Sequence, residues 1–203
     1  MKKLFIFCTA LFLTSALFGQ GIVGSAHDFT SAGWNTTGEI CIVCHTPHNA
    51  DTTVADSPLW NHEVTVATYT LYSSGTFDAT DQTQPDGVSK LCLSCHDGTV
   101  ALDNFGGVTG GTNFATGTAN VGTNLANDHP VSFSYQSSID NGDNELFPTT
   151  TSTSIGGTIA TDLLSGGNVE CSSCHDVHNA YGNAGLLKID NAGSALCLTC
   201  HDK

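Results

Sequence analysis

A chain of 203 residues that sets 19 acidic side chains against five lysines, with no arginine, carries a formal charge of −14. It cannot present the basic face that nucleic-acid binding needs. Gly, Thr, Ser and Asn abound and no long run repeats with helical period, so a core made of side chains alone would be thin.

The chain opens MKKLFIFCTALFLTSALFG. Lys2 and Lys3, an apolar run from Leu4 to Phe18 and the small Gly19 are the three parts of a secretory signal peptide. The run is shorter than the ~20 apolar residues of a spanning helix. Cys8 lies inside the run, which argues against a lipoprotein. Cleavage near Gly19 is expected to remove Met1, Lys2, Lys3 and Cys8 and to lower the charge to −16. The expected product is secreted, without a membrane anchor, and resides outside the cell or on its outer surface, alternatively in the periplasm.

Residues 20–104 form a first expected module. His27 comes early, in Ser-Ala-His-Asp-Phe, followed by Cys41-Ile-Val-Cys44-His45-Thr-Pro-His48 and by His62 in Leu-Trp-Asn-His-Glu. Residues 63–74, EVTVATYTLYSS, have the Val, Thr and Tyr content of a strand. Cys92-Leu-Ser-Cys95-His96 closes the module. Residues 105–168 read as long Gly/Thr/Ser/Asn-rich loops with short hairpins, and contain His129 in Asn-Asp-His-Pro. They are expected to form an ordered coat, anchored by Phe114, Val131, Phe133, Tyr135, Phe147 and Ile159, with the threonine cluster 149–153 open to O-glycosylation. The second module, 169–203, holds Cys171-Ser-Ser-Cys174-His175-Asp-Val-His178 and Cys197-Leu-Thr-Cys200-His201.

Every cysteine except Cys8 therefore falls in one pattern, C-x-x-C-H, four times over. That pattern attaches c-type haem: two thiols become thioethers and the adjacent histidine becomes the proximal iron ligand. Zinc needs no histidine after each second cysteine. A thioredoxin-like motif would occur once, near a βαβ pattern, and disulfide staples would not repeat a two-residue spacing four times. Four c-type haems are expected, with Cys41, Cys44, Cys92, Cys95, Cys171, Cys174, Cys197 and Cys200 as attachment points and His45, His96, His175 and His201 as proximal ligands. Four covalent apolar plates would also supply the missing core.

Five histidines remain for four distal positions: His27, His48, His62, His129 and His178. The only methionine is Met1, so His/Met ligation is excluded and the economical reading is four bis-histidine haems with one histidine spare. His48 and His178 each lie three residues after a proximal histidine and continue as His-Asn-Ala. Neighbours at that spacing share a helix face, so His48 cannot cross to the far side of the haem held by His45. It can reach another haem lying alongside.

The segments also repeat. EICIVCHTPHNA (39–50) resembles ECSSCHDVHNA (170–180), and LCLSCHD (91–97) resembles LCLTCHD (196–202). The order His-Asp-Phe, C-x-x-C-H-x-x-H, Trp-Asn-His-Glu, CLSCHDGTVA, Asn-Asp-His-Pro, C-x-x-C-H-x-x-H and CLTCH resembles the tetrahaem c-type cytochromes of dissimilatory metal-reducing bacteria. Some of these polymerise into extracellular filaments, the cytochrome nanowires. The resemblance implies a continuous stack of bis-histidine haems, with a histidine of one subunit ligating a haem of the next; His48 and His27 are the bridging candidates.

The expected fold is a multihaem cytochrome c, mostly coil with short helices and few or short strands, its core built on four stacked covalent haems. The expected function is low-potential electron transfer, with redox partner proteins or extracellular acceptors and with self-association through a bridging histidine. Two imidazoles per iron leave no open position, so no enzymatic activity is expected. A discrete periplasmic shuttle and a multihaem reductase are the alternatives.

Overall fold

A computed structural model describes residues 21–55 and 57–203. The expected signal peptide, 1–19, lies outside the described residues.

Helix α1, Gly87–His96, is the longest regular element. It buries Ser89, Leu91, Leu93 and Ser94 along one side and stops at Asp97, whose N–H returns to Leu93 O. Gly98, at φ 75°, turns the chain away in the left-handed conformation that suits a residue without Cβ. Helix α2, Tyr135–Asp140, is capped by Ser134, whose hydroxyl accepts the N–H of Ser137. Helices α3, Cys171–Cys174, and α4, Cys197–Cys200, are single turns. Two short strands, β1 (Phe133–Ser134) and β2 (Asn168–Val169), pair antiparallel with Phe133 opposite Val169. That pairing ties the middle of the connecting segment to its junction with the second module. No described helix is long and apolar enough to cross a membrane.

Residues 63–74 are extended but do not join a sheet. Burial alternates as a strand's would, with Thr65 and Tyr69 inside and Val66 and Thr68 outside. Side chains take the place of a partner strand: the amide of Gln84 accepts from Tyr69 N at 2.7 Å and donates to Tyr69 O at 3.0 Å. Thr65 and Tyr69 both donate to the buried carboxylate of Asp97 at 2.6 Å. The composition therefore reports an extended, half-buried backbone, and the ladder is replaced by a glutamine and an aspartate.

The core is four small clusters. Phe133, Tyr135, Ile159 and Val169 form one, with Phe147 and Cys200 against it. Val54, Trp60 and Leu91 pack beside Cys44. Tyr69, Leu93 and Leu125 make a third, and Leu163, Ile189 and Leu196 a fourth beside Cys174 and Cys200. Three of the four thus gather round C-x-x-C-H cysteines. Of the expected anchors, Phe133, Tyr135 and Ile159 are buried, whereas Phe114 is 43% exposed. Complete burial of a side chain such as Ile159 stabilises by about 1.5–3 kcal/mol.

Candidate functional site

Each C-x-x-C-H forms one helical turn. The histidine N–H returns to the carbonyl of the first cysteine in three of them: His45 to Cys41 at 2.8 Å, His175 to Cys171 at 3.0 Å and His201 to Cys197 at 3.0 Å. The second motif lies within α1. A turn puts both thiols on one face with the imidazole above the first of them.

A second strip of chain then brackets the histidine. Asn61 N donates to Cys44 O and Thr46 N to Leu59 O; Lys188 N donates to Cys174 O and Asp176 N to Leu186 O; Phe147 N donates to Cys200 O and Asp202 N to Glu145 O. At His96 one such bond is made, from Val121 N to His96 O at 2.8 Å. The repeat seen in the letters is also a repeat of backbone: Asn49 and Asn179 have φ of 56° and 53°, and Leu59 and Leu186 have φ of 53° and 57°.

The strip fixes the ring as well. His45 Nδ1 meets Pro58 O at 2.6 Å, His96 Nδ1 meets Ala119 O at 2.6 Å and His175 Nδ1 meets Gly185 O at 2.8 Å. A carbonyl only accepts, so Nδ1 carries the hydrogen and Nε2 keeps its lone pair. That is the tautomer an iron ligand needs, held by the kind of outer partner that ligating histidines generally have.

The remaining histidines divide into two groups. His27, His178 and His129 each face a motif histidine: the His27–His96 ring centroids are 5.9 Å apart, those of His45–His178 6.2 Å and those of His129–His201 6.4 Å. An imidazole nitrogen binds a first-row metal at about 2.0–2.1 Å and its ring centroid lies roughly 1.1 Å behind, so two rings across one metal sit about 6.3 Å apart. The three centroid separations are of that size. His27 is half-buried, its enclosed Nδ1 has no hydrogen-bond partner among the described residues, and burial followed by His96, His175 and His178 lowers its pKa to about 4. It is therefore neutral, the ligating form, at pH 7.

His48 and His62 face no motif histidine. His48 is exposed, at the rim of a cleft of about 810 Å³ that Asn49, Trp60, Asn61 and Gly106 also line. His62 is 1% exposed. Its Nδ1 lies 2.9 Å from Glu63 O and its Nε2 3.1 Å from Ala101 O, and burial holds its pKa below the usual histidine value. His175, correspondingly, has no ring against it among the described residues.

The cysteines approach one another from motif to motif. Cys92 lies near Cys171, Cys44 near Cys95, and Cys174 near Cys197 and Cys200. Burial raises the Cys44 and Cys200 thiols to about 11. The motifs thus follow one another in space in the order they have along the chain.

Sequence reasoning missed the ring-holding carbonyls of Pro58, Ala119 and Gly185. A carbonyl belongs to every residue, so no side-chain letter announces it.

Residues 164–203 match the family model described as the doubled CXXCH motif. The match supports a multihaem c-type cytochrome, a protein that binds haem covalently and transfers electrons. No curated protein matches the chain.

Proposed function

We propose that the protein is a tetrahaem, bis-histidine cytochrome that carries electrons along a row of haems at low potential, as the subunit of an extracellular filament. The observation that carries this reading is an imbalance. Three motif histidines have a second imidazole at iron-bridging distance, the fourth, His175, has none, and His48 stands exposed.

In this reading His45, His96, His175 and His201 are proximal. His178, His27 and His129 complete the first, second and fourth irons, and His48 of one copy completes the third iron of the next. His62, satisfied by backbone carbonyls, is the spare histidine. Of the two bridging candidates, His27 is already engaged inside its own chain. The cleft beside His48 has the volume of a ligand site and is where the neighbour's haem edge would enter.

When bound, haem iron holds one electron as it passes between ferric and ferrous states. The chain's own contribution is placement. Nδ1–H donors hold the rings, and adjacent cysteine motifs keep neighbouring sites close. Methionine ligation, which raises potential, is absent from the described chain, and the acidic surface favours the more positive ferric state. Two histidines assigned to each haem would leave no open position for a substrate, and the protein would then be a conductor and not an enzyme. Its partners are redox proteins or extracellular acceptors, and its own neighbours in the filament.

Electron microscopy of the native, haem-loaded protein sheared from expressing cells is the test. Filaments of regular subunits that fall into single particles in His48→Ala, each with one high-spin haem, are the expected result. Wild-type protein found only as discrete periplasmic particles would overturn the filament. It would favour a shuttle if all haems were low-spin, and a reductase if the iron at His175 were open.

A further inference from the structure

The mechanism makes no use of a buried carboxyl that lies between the second and third motifs. Glu170 is 6% exposed and caps α3: its side chain accepts the N–H of Ser173, while its own N–H donates to Ser173 Oγ at 2.9 Å. Its Oε2 also accepts the hydroxyls of Ser89, from α1, and of Ser132, the latter at 3.1 Å. Ser89 Oγ in turn accepts Cys171 N at 3.0 Å. One carboxyl therefore pins together the first module, the connecting segment and the second module.

What surrounds it is unusual for a buried carboxylate. It forms no ion pair among the described residues. The titratable groups facing it are Asp86, which precedes α1, and the sulfurs of Cys92 and Cys171. Asp86 is a like charge, and the two sulfurs lose their protons for good once they become thioethers. Burial pushes the Glu170 carboxyl above the usual range, and the Ser89 and Ser132 hydroxyls offset this only in part.

We infer that Glu170 is a proton-binding site coupled to reduction of the haems on the second and third motifs. The inference rests on the cytochrome reading above. Ser89, one turn before Cys92 in α1, joins the Glu170 carboxyl to the N–H of Cys171, so the carboxyl stands at the joint between two attachment sites. Reduction adds one negative charge to an iron centre. In a low-dielectric interior that charge strengthens proton binding at a nearby carboxylate, and by reciprocity protonation favours the reduced iron.

The step balances. One electron, supplied by the protein's redox donor, reduces ferric iron. One proton from bulk water forms an O–H bond on Glu170, no bond to carbon breaks, and the pair of events leaves the interior charge unchanged. Oε1 lies 3.8 Å from where a Cβ on Gly87 would stand, and the residue before that glycine, Asp86, is exposed.

The test is spectroelectrochemistry with infrared difference detection on the full haem-loaded protein across a pH series. The expected result is a protonated-carboxyl band that appears on reduction, shifts when glutamate carboxyls are isotope-labelled and vanishes in Glu170→Gln. Alongside it, the midpoint potentials of one or two haems fall as pH rises in the wild type and flatten over the same interval in Glu170→Gln. Should that variant fail to load haem, the labelled wild type decides alone, because the other three glutamates, Glu39, Glu63 and Glu145, are exposed and Glu170 is the buried one. A loaded, reducible protein with no glutamate band, or a band and pH slope unchanged in Glu170→Gln, overturns the inference and leaves the cytochrome standing. A protein without haem absorbance overturns the cytochrome reading itself.

Discussion

Replacing His62 by Phe separates a structural histidine from a ligand. The substitution keeps a ring beside Trp60, whose centroid lies 6.3 Å away at 64°, and removes both ring nitrogens. Burial keeps the imidazole neutral, so it has one N–H for the two carbonyls it touches. The stake is therefore a single hydrogen bond. Glu63 is exposed and its carbonyl can turn to water, but Ala101 is 1% exposed. Its carbonyl also accepts the N–H of Asn104 at 2.9 Å, so the change removes one of two donors and costs about 0.5–1.5 kcal/mol, the net worth of one hydrogen bond. The assay is urea unfolding of the haem-loaded protein, where the midpoint should fall by that amount with the slope unchanged, together with electron paramagnetic resonance, where every ferric haem should stay low-spin. A high-spin signal in His62→Phe would mean that His62 binds iron and that the ring pairing has been misassigned. A stability loss below about 0.5 kcal/mol would refute the claim that the ring anchors backbone.

Two further outcomes follow from local geometry. At Gly21 an added Cβ would lie 2.1 Å from Asn179 O, a backbone atom that cannot swing aside. Gly21→Ala should therefore displace the arm that carries His27, and paramagnetic resonance should show a high-spin fraction from one haem; an unchanged low-spin spectrum would sink the His27–His96 assignment. Asp162 is held below the ordinary aspartate value of 3.8, first by the Thr153 hydroxyl and then by the Gly157 N–H and Thr161. The unfolded chain therefore takes its proton first. The contribution of Asp162 is complete above 3.8 and is lost as pH falls through the lower folded value. Urea unfolding at about pH 5 and about pH 3 should show a smaller acid loss in Asp162→Asn than in the wild type; equal losses would refute it.

How much was legible beforehand depended on whether information sat in side chains or in chain path. C-x-x-C-H announces itself because thioether chemistry needs those two thiols and that neighbouring imidazole, and poverty in helical periodicity foretold a coil-rich chain with scattered small cores. His27, His48, His62, His129 and His178 could be nominated as a group, but sorting them needs ring-to-ring distances, and those depend on how loops of forty or more residues return. The 63–74 segment shows another limit. Its letters describe an extended, half-buried strip, and they do not say that Gln84 and Asp97 will stand where a strand partner would. The role of Glu170 was likewise invisible, since it appears only when Ser89 and Ser132 arrive from distant parts of the chain.

The bracket around the motif histidines is made almost wholly of main chain: N–H to carbonyl on either side of His45, His175 and His201, and a carbonyl on Nδ1 of His45, His96 and His175. Such a fixture is indifferent to most of the residues that compose it. Mutational drift can rewrite the coat and the strips, provided the path and a few left-handed corners survive, without moving a ring. Two proteins of this design could hold their imidazoles in the same places while sharing little more than scattered cysteines and histidines. Kinship among them would be easier to detect by superposing rings than by aligning letters.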